Sequence, residues 1–419
     1  MRNVEPSAAG RRTVYARSAT ARQVSMAPIR LLVFTTLFPN AEQPNHGIFV
    51  ENRLRHLLAT GGATATVLAP VPYFPSGAAV FGAWGRFARV PPTETRHGIT
   101  VHHPRFAAIP RFGMPLAPAL LHRAGRAALR RIGTDFDLID AHYLYPDGVA
   151  AIRLGAELHK PVVVTARGSD VTHLPDFATP RRLIRDAIGR ADGLVAVSSA
   201  LRDRLIELGA PPARTVMLRN GVDTGMFHPV DRDAARAALG VTGPLLVSVG
   251  GLIPRKRHHH TIAALRLLPG CTLLIAGEGP EHGRLAALIA GSGLSGRARL
   301  LGPLPHARLP DLYGAADAMI LASSREGWAN VLLEAMACGT PVVASNIPGN
   351  PDVVRTPDAG VIVAENTPDG IAAGVRALLA APPSRAATRA YAERFGWDDT
   401  SQGQLALFRQ ILDRHLTAS

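Results

Sequence analysis

Lysine is nearly missing from this chain. Of 46 basic side chains only Lys160 and Lys256 are lysines, so the positive charge is carried almost wholly by guanidinium groups that stay protonated at neutral pH. Cysteine is scarce too. Cys271 and Cys338 are the only two, both lie inside apolar runs, and they point to buried thiols in a reducing compartment rather than to a disulfide framework. No run of about 20 apolar residues is free of charge, which argues against a membrane-spanning helix. The first residues lack a continuous apolar stretch, so no secretory signal is expected and the expected location is the cytoplasm.

What is present is a large apolar fraction, 47% of 419 residues, enough for two domains with full cores and too much for a disordered chain. The net charge of +14 is uneven: residues 1–230 carry 28 Lys and Arg against 16 Asp and Glu, a balance of +12, and residues 231–419 carry 18 against 16, a balance of +2. The first half therefore suits an anionic partner, or it has accumulated arginine on a solvated surface. The segment "LAPALLHRAGRAALRRIG" sets His122, Arg123, Arg126, Arg130 and Arg131 among leucines and alanines. Two readings of it stand: a helix lying on an anionic membrane surface, at the inner face of the cell membrane, or an amphipathic helix packed on its own sheet.

Residues 1–25 are basic, rich in Ser and Ala and without apolar periodicity, and are expected to be disordered and dispensable. Met26 stands directly before the first apolar run and is the expected start of the folded chain. From there continuous Val/Ile/Leu runs alternate with helical stretches. "RLLVFTT", "ATATVLAP", "DLIDAHYL", "PVVVTARG", "GLVAVSS" and "TVMLRN" form one series, and "PLLVSVGG", "CTLLIAGEG", "RARLLGPL", "ADAMILASS", "TPVVAS" and "AGVIVAEN" a second. Runs that are continuous rather than alternating mark strands of parallel sheets covered on both faces. The expected fold is α/β: two doubly wound, Rossmann-like domains, 26–230 and 231–400, facing a cleft. They are joined through the turn-rich "NGVDTGMFHPVDRD", and a last helix over 401–419 packs back on the first domain. Ligands of such sheets sit beyond the carboxyl ends of the strands, where Thr35, His142, Arg167, Ser198, Asn220, Gly250, Gly277 and Glu326 collect.

"SREGWANVLLEAMACGTPVVAS" places Glu326 on the loop after a strand and Glu334 about one turn into the following helix. The helix start offers unpaired N–H groups and a positive dipole end that suit a phosphate. Helical side chains lean toward the N-terminus, so Glu334 is expected to reach the same place and accept from vicinal hydroxyls, with Glu326 accepting from a second set. Sugar, diphosphate and sugar in line describe a sugar nucleotide.

This stretch resembles the Glu-x(7)-Glu signature of retaining glycosyltransferases with the GT-B fold, family 4. "PNHGIFVENRLRHLLATGG", "PVVVTARGSDV", "RNGVDTGMFHP" and "VSVGGLIPRKRHH" are similar to further segments of that family, in its order, over residues 29–400. The resemblance implies a hexosyltransferase using a UDP- or GDP-sugar as co-substrate, with no metal and no other cofactor. It implies a glycan or lipid-linked acceptor in surface polysaccharide or glycolipid synthesis, and no role for nucleic acid. Glu326 would hold hydroxyls of the transferred sugar, and Gly327, Trp328, Ala329, Asn330 and Val331 would line the sugar and diphosphate. Glu334 would bind the ribose. Lys256 would neutralise the diphosphate, and Gly47, with Gly250 and its loop, would let the backbone come close. The catalytic set is Glu326, Lys256 and Arg167; His142 and Asp170 are the acceptor-side candidates. Two positions depart from the pattern: Gly251 stands where many members have an arginine, a loss Arg255 could make good, and Arg167 stands where many have a histidine, and arginine is no base at neutral pH.

Rival readings exist for several of these residues. Glu326, Glu334 and Lys256 could be solvated charges. His258, His259 and His260 are consecutive and cannot all face one ion. Asp135 and Asp137 in "TDFDL" look like a metal–nucleotide pair but precede their strand, at the rim away from the cleft. "AGEGPEHG" resembles a dinucleotide fingerprint with one residue too many and no acidic partner about 20 positions on, a weak case for an NAD-dependent oxidoreductase. A sugar-nucleotide epimerase or hydrolase, or a non-catalytic nucleotide binder, would share the same fold.

Overall fold

The computed structural model describes residues 27–418, apart from 79, 81 and 109–112. The expectations for residues 1–25 lie outside that range. Two sheets carry the fold. In the first, Ile29–Phe34 lies between Ala63–Leu68 and Leu138–His142; Val162–Ala166, Gly193–Ala196 and Thr215–Met217 follow on one side, Ile99–His102 and Thr93–Arg96 on the other. All pairs are parallel except the last, the polar edge strand TETR. In the second sheet Leu245–Val249 lies between Thr272–Ala276 and Ala318–Leu321, flanked by Ala298–Gly302 on one side and by Val342–Ser345 and Gly360–Val363 on the other, all parallel. The central strands are buried along their length, as both-face coverage requires.

In each sheet the first strand has later strands on both sides, so the chain reverses its direction of travel there. Such a switch point opens a crevice beyond the carboxyl end of that strand. The loops leaving Phe34 and Val249 stand over the two crevices.

The helix Ala117–Ile132 spends its apolar face on the first sheet. Leu121, Ala124, Gly125 and Leu129 are buried, and a side chain at Gly125 would crowd the Phe34 ring at 3.0 Å. Arg123, Arg126, Arg130 and Arg131 face outward. Of the two readings of this segment, the packed amphipathic helix accounts for Leu121 and Leu129, while Leu116 stays exposed and the arginines form the exposed basic face. Asp135 and Asp137 are used at the far rim, where they pair with Arg30.

The chain crosses between the sheets twice, side by side. Val222 N–H donates to Phe395 O at 2.9 Å, and a Cβ at Gly221 would lie 2.8 Å from the Gly396 carbonyl. The second crossing leads into the helix Asp398–Ala418, which begins slightly before the expected 401. Its Leu405, Leu407, Phe408 and Ile411 complete one core with Ile29, Leu31 and Val33 of the first domain. No helix among the described residues is long and apolar enough to cross a membrane.

Candidate active site

The loop after Leu245–Val249 turns at Gly250 (φ 152°), passes through a short 3-10 turn at Pro254–Lys256, and enters the helix His258–Leu265 at Arg257. Lys256 lies across Gly250, where a Cβ would stand 3.2 Å from its Cε. The loop is pinned from below by the next strand's loop: Leu252 N–H donates to Glu278 O at 2.8 Å. A Cβ at Gly277 would lie 1.9 Å from Gly250 O, and one at Gly279 would lie 2.4 Å from Leu252 O. Gly277 and Gly279 of "AGEGPEHG" are thus explained by two backbones crossing, which weakens the support for a dinucleotide fingerprint.

Lys256 Nζ donates to Glu326 Oε1 at 2.7 Å, and Arg255 Nη1 to Oε2 at 3.3 Å. The Glu326 side chain is only 8% exposed. Burial alone would raise its carboxyl, but the charges of Lys256 and Arg255 outweigh burial and hold it below the usual carboxylate range. Glu326 is an ionised carboxylate clamped by two cations.

It faces a cavity of about 310 Å³ between the two domains. The second domain contributes Arg255, Arg325, Glu326, Gly327, Trp328 and Asn330; the first contributes Leu37, Phe49, Tyr143, Arg167, Gly168, Ser169, Thr172, Val197 and Asn220. Gly47 is buried behind Leu37 at φ 67°, where a Cβ would sit 2.3 Å from the Leu37 carbonyl carbon, so only glycine lets the helix Ile48–Ala59 start there. On the other side of the cavity the domains meet backbone to backbone: a Cβ at Gly327 would lie 1.9 Å from Arg167 O. Asn220 Nδ2 donates to Asn330 Oδ1 at 3.2 Å across the same seam.

Three sequence expectations need correction. His142 is buried away from the cavity, with Nδ1 accepting from Arg167 Nη2 at 2.7 Å and Nε2 facing Asp140 Oδ2 at 3.4 Å. Burial pushes it down to about 4, so it is neutral and holds Arg167 rather than an acceptor. Asp170 is equally buried, and its oxygens accept the backbone N–H groups of Leu144, Arg167 and Gly168. It staples the loop that presents Arg167. Glu334 does not share the Glu326 cavity. It leans instead on Tyr313, whose hydroxyl donates to Oε2 at 3.1 Å, and on His306 Nε2, 3.5 Å from Oε1. Burial would lower His306, but the hydrogen bond and charge of Glu334 outweigh it and raise the imidazole.

Of the remaining expected residues, Gly251 is exposed on its loop, and Ala329 and Val331 sit at the start of the helix Asn330–Ala337, outside the cavity lining. The consecutive histidines diverge: His258 is buried beside Ser248 Oγ, while His259 and His260 are set edge to face. No group of three or more His, Cys, Asp or Glu among the described residues is arranged to hold a metal ion. Sequence reasoning missed Tyr143, a non-glycine residue at φ 82° whose hydroxyl meets Ser169 Oγ at 2.7 Å, and whose burial pushes it up to about 12. Positive φ at a bulky residue is strain that leaves no mark on composition or periodicity.

Comparison with known proteins identifies the family. The model of glycosyl transferases group 1 matches residues 231–395, and that of Glycosyltransferase Family 4 matches 49–225. D-inositol 3-phosphate glycosyltransferase 1 of Catenulispora acidiphila is 30% identical over 429 residues, covering 94% of this chain and 98% of that protein. The chain is a group 1 glycosyltransferase. A second relative, D-inositol 3-phosphate glycosyltransferase of Mycobacterium avium, is 35% identical over 247 residues, spanning 56% of this glycosyltransferase and 58% of its own length. Among solved structures, sucrose-phosphate synthase from Thermosynechococcus elongatus superposes with a TM-score of 0.77 at 21% identity, over 94% of this chain and 100% of that one. Anabaena HepE in complex with UDP and glucose gives 0.71 at 22%, over 91% and 100%. These likenesses show the GT-B fold.

One buried acid of this glycosyltransferase offers a pH test. Asp147 lies behind the cavity wall, its Oδ2 accepting from Thr36 Oγ1 at 2.9 Å and its Oδ1 unpartnered. Burial pushes it from 3.8 up to about 8, against the opposing pull of Thr36. A folded-state pKa above the unfolded one means that the stability contribution is complete below about pH 4 and is lost as the pH rises through about 8. Asp147→Asn removes that loss, so the variant's Tm relative to the native protein should climb between pH 5 and about 8.5. Thermal melts across that range check it; a difference independent of pH would refute the buried neutral acid.

Proposed function

We propose that this glycosyltransferase moves a hexose from a UDP- or GDP-sugar to an acceptor hydroxyl with retention at the anomeric carbon. The clamped carboxylate carries the reading. Glu326 is the one carboxylate on the cavity wall among the described residues, and Lys256 and Arg255 hold both its oxygens. A covalent route through Glu326 would have to pull it from two cations. Front-face attack needs no such release: the departing diphosphate takes the acceptor proton, and Lys256 and Arg255 share their charge with the phosphate oxygens as the bond breaks. Glu326 then faces the sugar ring, where positive charge grows. No metal enters this scheme.

Glu334, with Tyr313 and His306 beside it, accepts the ribose hydroxyls about one turn farther along the helix. The acceptor is a polyol or a glycan. The D-inositol 3-phosphate glycosyltransferases among its relatives favour a polyol phosphate such as inositol phosphate; a surface polysaccharide or glycolipid precursor is the second candidate. Incubation with radiolabelled UDP- and GDP-hexoses and both acceptor types tests the reading. Label in a new glycoside of unchanged anomeric configuration is expected. An inverted product, an isomerised donor, free hexose alone or unreacted donor would each sink it, and would point in turn to an inverting enzyme, an epimerase, a hydrolase and a binding protein.

A further inference from the structure

Building on the nucleotide-sugar reading, we infer that Arg167 is an anion-binding residue. It takes an oxyanion, a carboxylate or a phosphate, that a substrate carries in addition to the donor diphosphate.

Arg167 leaves the strand Val162–Ala166 and lines the cavity from the first domain. Its side-chain partners are neutral: Nη1 donates to Asn220 Oδ1 at 3.1 Å and Nη2 to His142 Nδ1 at 2.7 Å, while Nε is buried with no partner. The Phe49 ring lies 5.4 Å from the guanidinium carbon. Directly behind stands a second buried guanidinium, Arg53, donating to Gln404 Oε1, Leu218 O and the same Asn220 oxygen, again all neutral.

Two buried carboxylates, Asp140 and Asp170, offset the charge of this pair but form no ion pair with it. Asp140 Oδ2 is already held by Gln404 Nε2 at 2.9 Å. Asp170 spends both oxygens on backbone amides. The Arg167 guanidinium is thus left without a carboxylate in hydrogen-bond reach, where water is scarce. Burial, with Arg53 adding to it, pulls Arg167 down to about 9, still protonated at neutral pH. A buried guanidinium whose direct partners are all neutral gains from an anion that pairs with it. The diphosphate has its own cations, Lys256 and Arg255, on the other domain. A planar guanidinium held at both ends by neutral acceptors is pre-organised for a carboxylate or phosphate. The oxyanion has two sources: a uronic acid as the transferred sugar, or a phosphate on the acceptor.

Titration calorimetry on the native protein, Arg167→Gln and Arg167→Lys separates them. In the donor arm UDP-glucose is compared with UDP-glucuronate, and GDP-mannose with GDP-mannuronate. In the acceptor arm inositol is compared with inositol phosphate in the presence of UDP or GDP. The reading is the ratio of Kd values within a pair, and the affinity for UDP or GDP alone reports that each variant is folded. In one arm the anionic member should bind the native protein about 10-fold or more tightly than its neutral partner, the range of a charge-assisted hydrogen bond. Arg167→Gln should bring that ratio to about one, and Arg167→Lys should keep part of it. A ratio of one in both arms, or a ratio that survives Arg167→Gln, overturns the inference while nucleotide binding stands. A native protein that binds neither UDP nor GDP overturns the nucleotide-sugar reading and this inference with it.

Discussion

Glu326→Gln should lower kcat by about 100-fold or more, the cost of removing one aimed charge from a transition state, and should move the donor KM by far less. Glutamine keeps the shape of the side chain and removes its charge. In the resting site that charge balances Lys256 at 2.7 Å and Arg255 at 3.3 Å. Without it both cations are free to grip the ground-state diphosphate, so binding survives or tightens. The loss falls on the step in which the sugar ring becomes positive. Lys256→Ala should behave alike, because leaving-group charge also develops late. Glu334→Ala should show the opposite split: its oxygens rest on Tyr313 and His306 outside the cavity, so a ribose contact there serves ground and transition state equally. Donor KM should rise roughly 10- to 100-fold with kcat less affected. Steady-state kinetics on the three variants decide, and full kcat in Glu326→Gln would return Glu326 to the rank of a loop carboxylate.

The second large effect is expected from a single methyl group. Gly327→Ala would set a Cβ 1.9 Å from the carbonyl oxygen of Arg167, well inside van der Waals contact. That oxygen is backbone, held through the Asp170 staple, and cannot swing aside as a side-chain tip would. The domains must part instead. Each has its own buried sheet, so Tm should change little. The cavity, however, is assembled from both walls, and a displacement of about 1 Å in a reacting geometry costs on the order of 100-fold in rate. The expected result is a folded variant with kcat/KM reduced about 100-fold. Small-angle scattering with saturating UDP should show it less compact than the native protein. Native kinetics in Gly327→Ala would mean that the seam at Gly168 and Gly327 is not part of the working state.

The sequence made the two sheets legible because their strands are buried on both faces and therefore read as unbroken Val, Ile and Leu. The edge strand Thr93–Arg96 escaped because it is polar and half solvated, as an edge strand should be. The helices Gly82–Arg89 and Ala178–Arg190 escaped too, their apolar residues being diluted by arginine. At the site, the Glu-x(7)-Glu pair, Lys256 and Arg167 could be read because they lie in local motifs with a physical role. The network behind Arg167 could not. Arg53 meets Gln404 across 351 positions, and Gln404 meets Asp140 across 264. No local pattern links them, since each sits on a different element and only tertiary folding brings them together. The same holds for His142 and Asp170: His142 was legible at a strand end and Asp170 in a local motif, but their direction, away from the cavity, was set by the guanidinium and amides they serve.

The paired crossings at Gly221 and Gly396 give the molecule the plan of an insertion. Both ends of the described chain belong to one lobe, and the other lobe is spliced in between. Exchanging the second lobe with that of a relative to change sugar preference is therefore a two-junction graft. A chimaera joined only near residue 230 would seat the tail of one parent, with Leu405, Phe408 and Ile411, against Ile29, Leu31 and Val33 of another. One joined at both crossings keeps that core within a single parentage.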